Sequence, residues 1–426
     1  YTSPSSEVAV TVGPESLTGP VDGSLPIAAG IGGRTAPALV WDTDAEYFEW
    51  SFTVPEDGLY ELEVEYFGFA DESSPIQRQL SIDGEVPFEE AYSVAFYRAW
   101  RDEGPVKVNN LGDEVRPRQI QDQIWQTKKV YDKLGLYAEP LLFFMKAGDH
   151  VLRMDFIDQA AAFGRITFTG KESIPVYDDT DGPGAAKSGA AVNEIVIQAE
   201  TNVISKTDPT VRMESTGDPL TKPNVYGRRI MNYLGGRRWR KGGQAVTWSF
   251  EVPRSGYYKV AMRVLQNTGD GLPVFRKIEI DGEVRFQELL EHRIEYSREW
   301  RLEELTDEEG EPYVLHLDAG EHTITMTAVV GPYKELVKTL TADTLTLSTL
   351  IRKIIMITGG AAGIGKTTAL RLAAEGATVA IGDLDRASGH PLVQAMNRED
   401  GSYVRDVDVR VIGSSNNRFI TGRTDP

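Results

Sequence analysis

The chain writes the same phrase twice. Trp50-Ser51-Phe52-Thr53-Val54-Pro55-Glu56-Asp57-Gly58-Leu59-Tyr60 returns as Trp248-Ser249-Phe250-Glu251-Val252-Pro253-Arg254-Ser255-Gly256-Tyr257-Tyr258, with seven of the eleven positions identical at an offset of 198. Ile82-Asp83-Gly84-Glu85 recurs as Ile280-Asp281-Gly282-Glu283 at that offset, and Trp100-Arg101 matches Trp300-Arg301 at 200. Glu139-Pro140 and Ala147-Gly148-Asp149-His150 match Glu311-Pro312 and Ala319-Gly320-Glu321-His322 at 172. Preserved order at a long offset means two copies of one domain. The fall from 200 to 172 gives the first copy about 28 extra residues, expected between roughly Gly104 and Leu136.

Each copy reads as β. Tyr60 to Tyr66 and Tyr258 to Val264 alternate with period two, as strands with one buried face do. Asp-Gly in each Ile-Asp-Gly-Glu phrase is a turn pair, because glycine accepts positive φ. The expected fold is mainly β: two tandem β-sandwich (jelly-roll) domains over 37–176 and 195–350, after a flexible segment 1–36 and separated by a linker 177–194. From Ile351 the pattern changes to an apolar strand, a glycine-rich turn and an Ala/Leu-rich helix, so 351–426 reads as a short α/β, half-Rossmann-like fragment.

With 45 Lys+Arg against 64 Asp+Glu, the formal net charge is −19. That balance excludes non-specific nucleic-acid binding and attraction to an anionic membrane surface. No run approaches the ~18 consecutive apolar residues of a membrane span. Zero cysteines remove disulfides, thiolate metal sites and a cysteine nucleophile together. The start at Tyr1, followed by Thr-Ser-Pro-Ser-Ser, reads as an exported mature chain at the cell surface or outside it.

The second copy opens Ile195-Val196-Ile197-Gln198-Ala199-Glu200 and runs through Gly242-Gly243-Gln244 into its Trp-Ser-Phe phrase. This resembles the jelly-roll carbohydrate-binding modules of the galactose-binding-like superfamily. The pair resembles, more closely, the amino-terminal region of bacterial extracellular sugar ABC-transporter solute-binding proteins. Arg116-Pro117-Arg118-Gln119, Trp125-Gln126, Arg276-Lys277-Ile278 and Ile351 to Gly359 support the closer match. The resemblance implies non-catalytic polysaccharide or oligosaccharide binding, an ABC permease as partner, no required cofactor, and a structural calcium near Glu200. The binding domain that should follow Gly359 is missing.

A sugar ring has an apolar face and a hydroxyl rim, which suits an aromatic platform beside polar forks. Lys222 to Lys241 holds seven basic residues and no acidic one, among them Arg237 and Arg238, with Tyr226, Tyr233 and Trp239 interspersed. Arginine forks bind carboxylate or sulfate bidentately, so an acidic glycan with Trp239 and Tyr233 stacking on it is one reading. In the other, Trp239 packs on the sandwich and the arginines offset acidic neighbours. Trp100, Trp300 and Trp125 are further candidate contacts, although Trp125, in the insertion, could equally cover an exposed edge. Trp50 and Trp248 begin core-like strands, and the recurring His150 and His322 sit in equivalent turns.

Thr358-Gly359-Gly360-Ala361-Ala362-Gly363-Ile364-Gly365 after an apolar run resembles the first βαβ unit of the short-chain dehydrogenase family. Gly359, Gly363, Ile364 and Gly365 would lie at a pyrophosphate and Asp383 at the ribose, implying residual NAD binding. Gly360 to Thr367 also satisfies the P-loop pattern. The family's Tyr-x-x-x-Lys pair is missing after the turn, because Val407 stands four residues past Tyr403. Three functions are open: glycan binding, an NAD-binding oxidoreductase fragment, and structural adhesion at a cell surface.

Overall fold

Alternation translates directly into two-faced strands. A computed structural model describes residues 8–19, 26–42, 45–70, 72–171, 173–177, 194–269, 271–307, 309–341, 354–358, 363–374, 378–382 and 411–412. The chain divides into one unit over Tyr1–Lys334 and a second over Glu335–Pro426. The linker over 178–193 lies outside the described residues, as do residues 1–7 and 20–25 of the leading segment.

The first module contains β1 (Ala9–Val12), β2 (Leu17–Gly19), β3 (Ile27–Ala28), β4 (Ala38–Trp41), β5 (Tyr47–Val54), β6 (Gly58–Gly68), β7 (Ile76–Ile82) and β8 (Val94–Phe96). After them come β9 (Ala99–Asp102), β10 (Lys107–Val108), β11 (Glu114–Val115), β12 (Gln119–Asp122), β13 (Trp125–Lys129), β14 (Leu142–Met145), β15 (Gly148–Asp158) and β16 (Ala161–Gly170). One sheet runs β13-β6-β16-β4-β3, with β1 on β16 and β14 on β6; the other runs β2-β5-β15-β7-β8. On β5, Phe48, Trp50, Phe52 and Val54 are buried between the sheets while Ser51 and Thr53 are exposed. The leading segment expected to be flexible therefore supplies β1 to one sheet and β2 to the other.

The second module contains β17 (Val203–Lys206), β18 (Met213–Glu214), β19 (Tyr233–Leu234), β20 (Ala245–Val252), β21 (Gly256–Tyr258), β22 (Ala261–Val264), β23 (Val274–Ile280), β24 (His292–Ile294), β25 (Arg301–Glu304), β26 (Leu315–Leu317) and β27 (Gly320–Val329). The order β17-β20-β27-β23-β24 repeats β2-β5-β15-β7-β8. Among the described residues the rest of the module forms three short pairs, β18–β19, β21–β26 and β22–β25. Among the described residues no strand takes the central place that β16 holds in the first module.

Strand register corrects two expectations. Gln126 lies opposite Tyr66, and Arg301 opposite Val264, the residue 198 places after Tyr66. Trp125 and Trp300 are therefore counterparts, and Trp100-Arg101 is not the match of Trp300-Arg301. The inserted segment is 97–124, replacing the five residues 295–299, rather than the stretch from Gly104 to Leu136. Offset counting was misled by a coincidental Trp-Arg inside the insertion.

The insertion joins the modules. Its strand β9 pairs with β12 and, through Trp100 opposite Lys206, with β17, so one seven-stranded sheet runs β12-β9-β17-β20-β27-β23-β24 across both. The Lys206 ammonium is fully buried, 3.2 Å from Asp102 of the first module. Burial pushes its pKa down, and Asp102 works against that. Lys277 is likewise buried, with its ammonium 4.0 Å from the centre of the Tyr131 ring and 3.3 Å from Glu279. Gly135 sits at φ +66°, where a Cβ would come within 2.7 Å of the Gly242 backbone.

The recurring turns have a mechanical role. His150 Nδ1 bonds Asp83 Oδ2 at 2.7 Å and its Nε2 the Lys146 carbonyl at 2.7 Å; His322 repeats this with Asp281 at 2.8 Å and the Asp318 carbonyl at 2.9 Å. A ring facing a carboxylate and a carbonyl is best served when both nitrogens donate, which requires the imidazolium. Burial acts to lower the His150 pKa, but the Lys146 carbonyl and Asp83 raise it overall; Asp281 is the main cause of the rise at His322.

The C-terminal unit, taken alone, has β28 (Ile354–Thr358), α1 (Gly363–Ala374), β29 (Thr378–Gly382) and β30 (Val411–Ile412). β28 and β29 are parallel, as are β29 and β30, which gives the βαβ connection expected from the glycine turn. No helix among the described residues is long and apolar enough to cross a membrane.

Two outcomes follow. Asp102→Ala strands the Lys206 charge and should cost about 3 kcal/mol in denaturant unfolding, with Lys206→Met restoring much of it in the double variant. The raised histidines contribute stability that is full below about pH 6.5 and lost as pH rises through their folded values. The melting temperature should therefore fall less between pH 6 and 8.5 in a His150→Gln/His322→Gln variant than in the parent.

Candidate functional site

The basic stretch Lys222 to Lys241 is a shaped loop. Asn232 is buried, and its Nδ2 donates to the carbonyls of Thr216 and Pro223 at 3.0 and 2.9 Å. The insertion grips it from outside: Asp113 Oδ1 accepts the Arg229 amide at 2.9 Å, and Glu114 Oε2 accepts the Met231 amide at 2.6 Å. Most of the arginines remain exposed, Arg237 and Arg238 included, and Tyr226 is fully exposed.

Trp239 is half-buried and packs against the core of the second module. It stands 198 residues after Trp41, which is fully buried under the Arg78 guanidinium at 4.2 Å. Its own ring lies 4.8 Å from the Arg276 guanidinium and 6.1 Å from Trp248, and its Nε1 donates to the Gln244 carbonyl at 3.0 Å. Burial pushes the Arg276 pKa down to about 10 and that of Arg78 to about 9. Both modules thus use an arginine-on-tryptophan core, and packing explains Trp239.

An aromatic edge remains open in the second module. Tyr233 on β19 and Trp300 before β25 are half-buried and meet edge to face, 5.6 Å apart at 67°. Glu214 lies opposite Tyr233 in the β18–β19 register and pairs with Arg116 of the insertion, whose Nε donates to the Met213 carbonyl at 2.6 Å. Arg212 stands 3.9 Å from Glu214, its pKa lowered first by burial and then by the Arg116 and Arg238 charges. The sequence pointed to Tyr233, Trp300 and Arg238; it gave no sign that Arg116, Arg212 and Glu214 converge, because their meeting depends on the insertion crossing between modules.

The other tryptophans differ. Trp125 is covered: Arg34 lies 4.7 Å over its ring, Phe67 is 5.7 Å away, and its Nε1 donates to the Ile31 carbonyl at 2.9 Å. Trp100 sits on β9 at the joint, opposite Lys206 and Gln121 and away from the assignment that paired it with Trp300.

Glu200 is buried at a cleft of about 940 Å³ between the insertion and the second module, lined also by Arg101, Asp102, Glu114 and Lys222. Burial raises its pKa, with the Glu114 charge adding to the rise. Among the described residues no group of three or more His, Asp or Glu forms a metal-binding arrangement. Gly363, Ile364 and Gly365 open α1, with Ile364 87% exposed, whereas Gly359 and Asp383 lie outside the described residues.

Residues 353–418 match the short chain dehydrogenase family. Secoisolariciresinol dehydrogenase of Forsythia intermedia is 44% identical over 52 residues, 12% of this chain and 19% of that enzyme. The chain thus spans about a fifth of the curated relative's length. Among solved structures, a β-(1,4)-mannanase of Podospora anserina overlaps 42% of this chain and 31% of its own at 16% identity and a TM-score of 0.23. An exo-β-1,3-galactanase of Phanerochaete chrysosporium overlaps 38% and 29% at 13% identity and 0.22. A Paenibacillus xanthan lyase overlaps 74% and 24% at 16% identity and 0.20. These overlaps are loose, and the sandwich assignment rests on the sheets themselves.

Because Trp239 is a packing residue, Trp239→Ala should lower unfolding stability by about 3 kcal/mol. Trp300→Ala, at the open edge, should cost about 1 kcal/mol or less. Chemical denaturation of the two variants side by side checks the contrast.

Proposed function

We propose that the twin sandwiches form an exported, non-catalytic saccharide-binding unit that holds an acidic polysaccharide at the Tyr233–Trp300 edge. The observation that carries this is the aromatic pair set beside Arg116, Arg212 and Arg238 in a chain of net charge −19. Indole and phenol faces suit the apolar face of a pyranose, and guanidinium forks suit the carboxylates of a uronic acid. The sequence resemblance to carbohydrate-binding modules supports the same reading. In its finer form the unit captures sugar for an ABC-type permease, on the strength of the resemblance around Arg116 to Gln119 and Trp125-Gln126.

Affinity electrophoresis of the intact chain tests it. An acidic polysaccharide should retard the chain more than a neutral one, with retardation weakening as salt rises. Tyr233→Ala with Trp300→Ala should reduce affinity at least tenfold while leaving the melting temperature near the parent value. Unchanged retardation in that double variant, or none in the parent, would sink the proposal.

A second reading comes from the family match over 353–418 and the strand–helix–strand order of β28, α1 and β29. Here the C-terminal unit retains weak nicotinamide-dinucleotide binding, with α1 opening at Gly363 as the helix end that meets the pyrophosphate. Enhanced NADH fluorescence on titration would support it, and a flat titration to millimolar NADH would remove it.

A further inference from the structure

The insertion is where the two copies differ most in length, and it forms one wall of the cleft at Glu200. Arg101 and Asp102 of β9, the loop Gly104–Val106 and Glu114 of β11 face Gln198, Glu200, Thr201, Met213, Lys222 and Met231 of the second module. Its volume, about 940 Å³, lies within the ~300–1,000 Å³ of small-molecule sites. From these walls we infer that the cleft is a second ligand site, separate from the aromatic edge, that takes a neutral polyhydroxylated molecule the size of a mono- or disaccharide.

Charge balance selects the neutral class. Two cations, Arg101 and Lys222, face three carboxylates, Asp102, Glu114 and Glu200. Two of the carboxylates are committed: Asp102 to Lys206 at 3.2 Å and Glu114 to the Met231 amide at 2.6 Å. Arg101 is drawn toward Asp122 at 3.3 Å. No single-sign field is left for a strongly charged ligand, but the wall carries both donors and acceptors, Gln198, Thr201 and Lys222 beside Glu200. Vicinal hydroxyls, each both donor and acceptor, match a wall that offers both. Met213 and Met231 add an adaptable apolar surface for C–H groups. No aromatic residue lines the cleft, so it lacks the stacking platform that suits a long, flat polymer.

Occupancy also depends on the tandem. Asp102 both lines the cleft and neutralises Lys206, so a ligand held there rests on the same strand that joins the modules. The inference rests on the saccharide-binding reading, yet it concerns a different surface and can fail alone.

The test is ligand-observed NMR with calorimetry on the full chain, using lactose, cellobiose and maltose, with glucuronic acid and glucosamine as charged comparators. At least one neutral disaccharide should bind saturably and at least tenfold more tightly than either comparator. Glu200→Gln and Val106→Trp, the latter filling the cleft from its exposed loop, should each weaken that binding at least tenfold and leave polysaccharide retardation unchanged. If Glu200→Gln lowers the melting temperature, Val106→Trp alone decides. Absence of neutral-disaccharide binding, equal binding of the comparators, or binding that survives Val106→Trp overturns the assignment. Retained polysaccharide binding with an empty cleft sinks this inference only; loss of both removes the parent reading as well.

Discussion

The ammonium of Lys206 has left water altogether, and its carboxylate partner belongs to the other module. An ion buried this way is tolerable only while its partner stays in place. Asp102 reaches it because residues 97–124 leave the first sandwich and lay β9 along the edge of the second. That single strand addition also closes an exposed sheet edge and brings Glu114 to the basic loop and Arg116 to β18. Two sandwiches separated by linker-like sequence are thereby made into one body.

The duplication shows what the shared scaffold needs and what each copy is free to change. Trp41 beneath Arg78 and Trp239 beneath Arg276 are the same device, a guanidinium stacked on indole with its terminal nitrogens donating to backbone carbonyls. The Asp-His clamps at His150 and His322 are also shared. The copies part at the edge tryptophans. Both are half-buried, but Arg34, Phe67 and Ile31 meet Trp125, while Trp300 meets the edge of Tyr233. Equivalent tryptophans held by different partners are what divergence between two copies of one scaffold leaves.

Much of the fold was legible in sequence because its signals are local. Period-two alternation gave the strands, Asp-Gly gave the turns, repetition gave the number of sandwiches, and the glycine turn gave the parallel βαβ unit. The errors came where geometry is non-local. Trp100-Arg101 imitated Trp300-Arg301 in letters but occupies a segment that the second copy lacks. For Trp239 the basic stretch left a ligand platform and a packing role both open; its position 198 residues after a buried tryptophan, with Arg276 correspondingly after Arg78, favours packing. That signal was present in the sequence, as the spacing of the repeat. The cleft at Glu200 could not be read at all, since its walls come from segments about 100 residues apart.

Crystals of the intact chain soaked with oligosaccharides of an acidic polysaccharide test the account most directly. It predicts sugar density against Trp300 and Tyr233, with a carboxylate within hydrogen-bond distance of a neighbouring arginine. Sugar stacked instead on Trp125 or Trp100, or both sandwiches bare while a nicotinamide dinucleotide is ordered at the glycine turn, would contradict it.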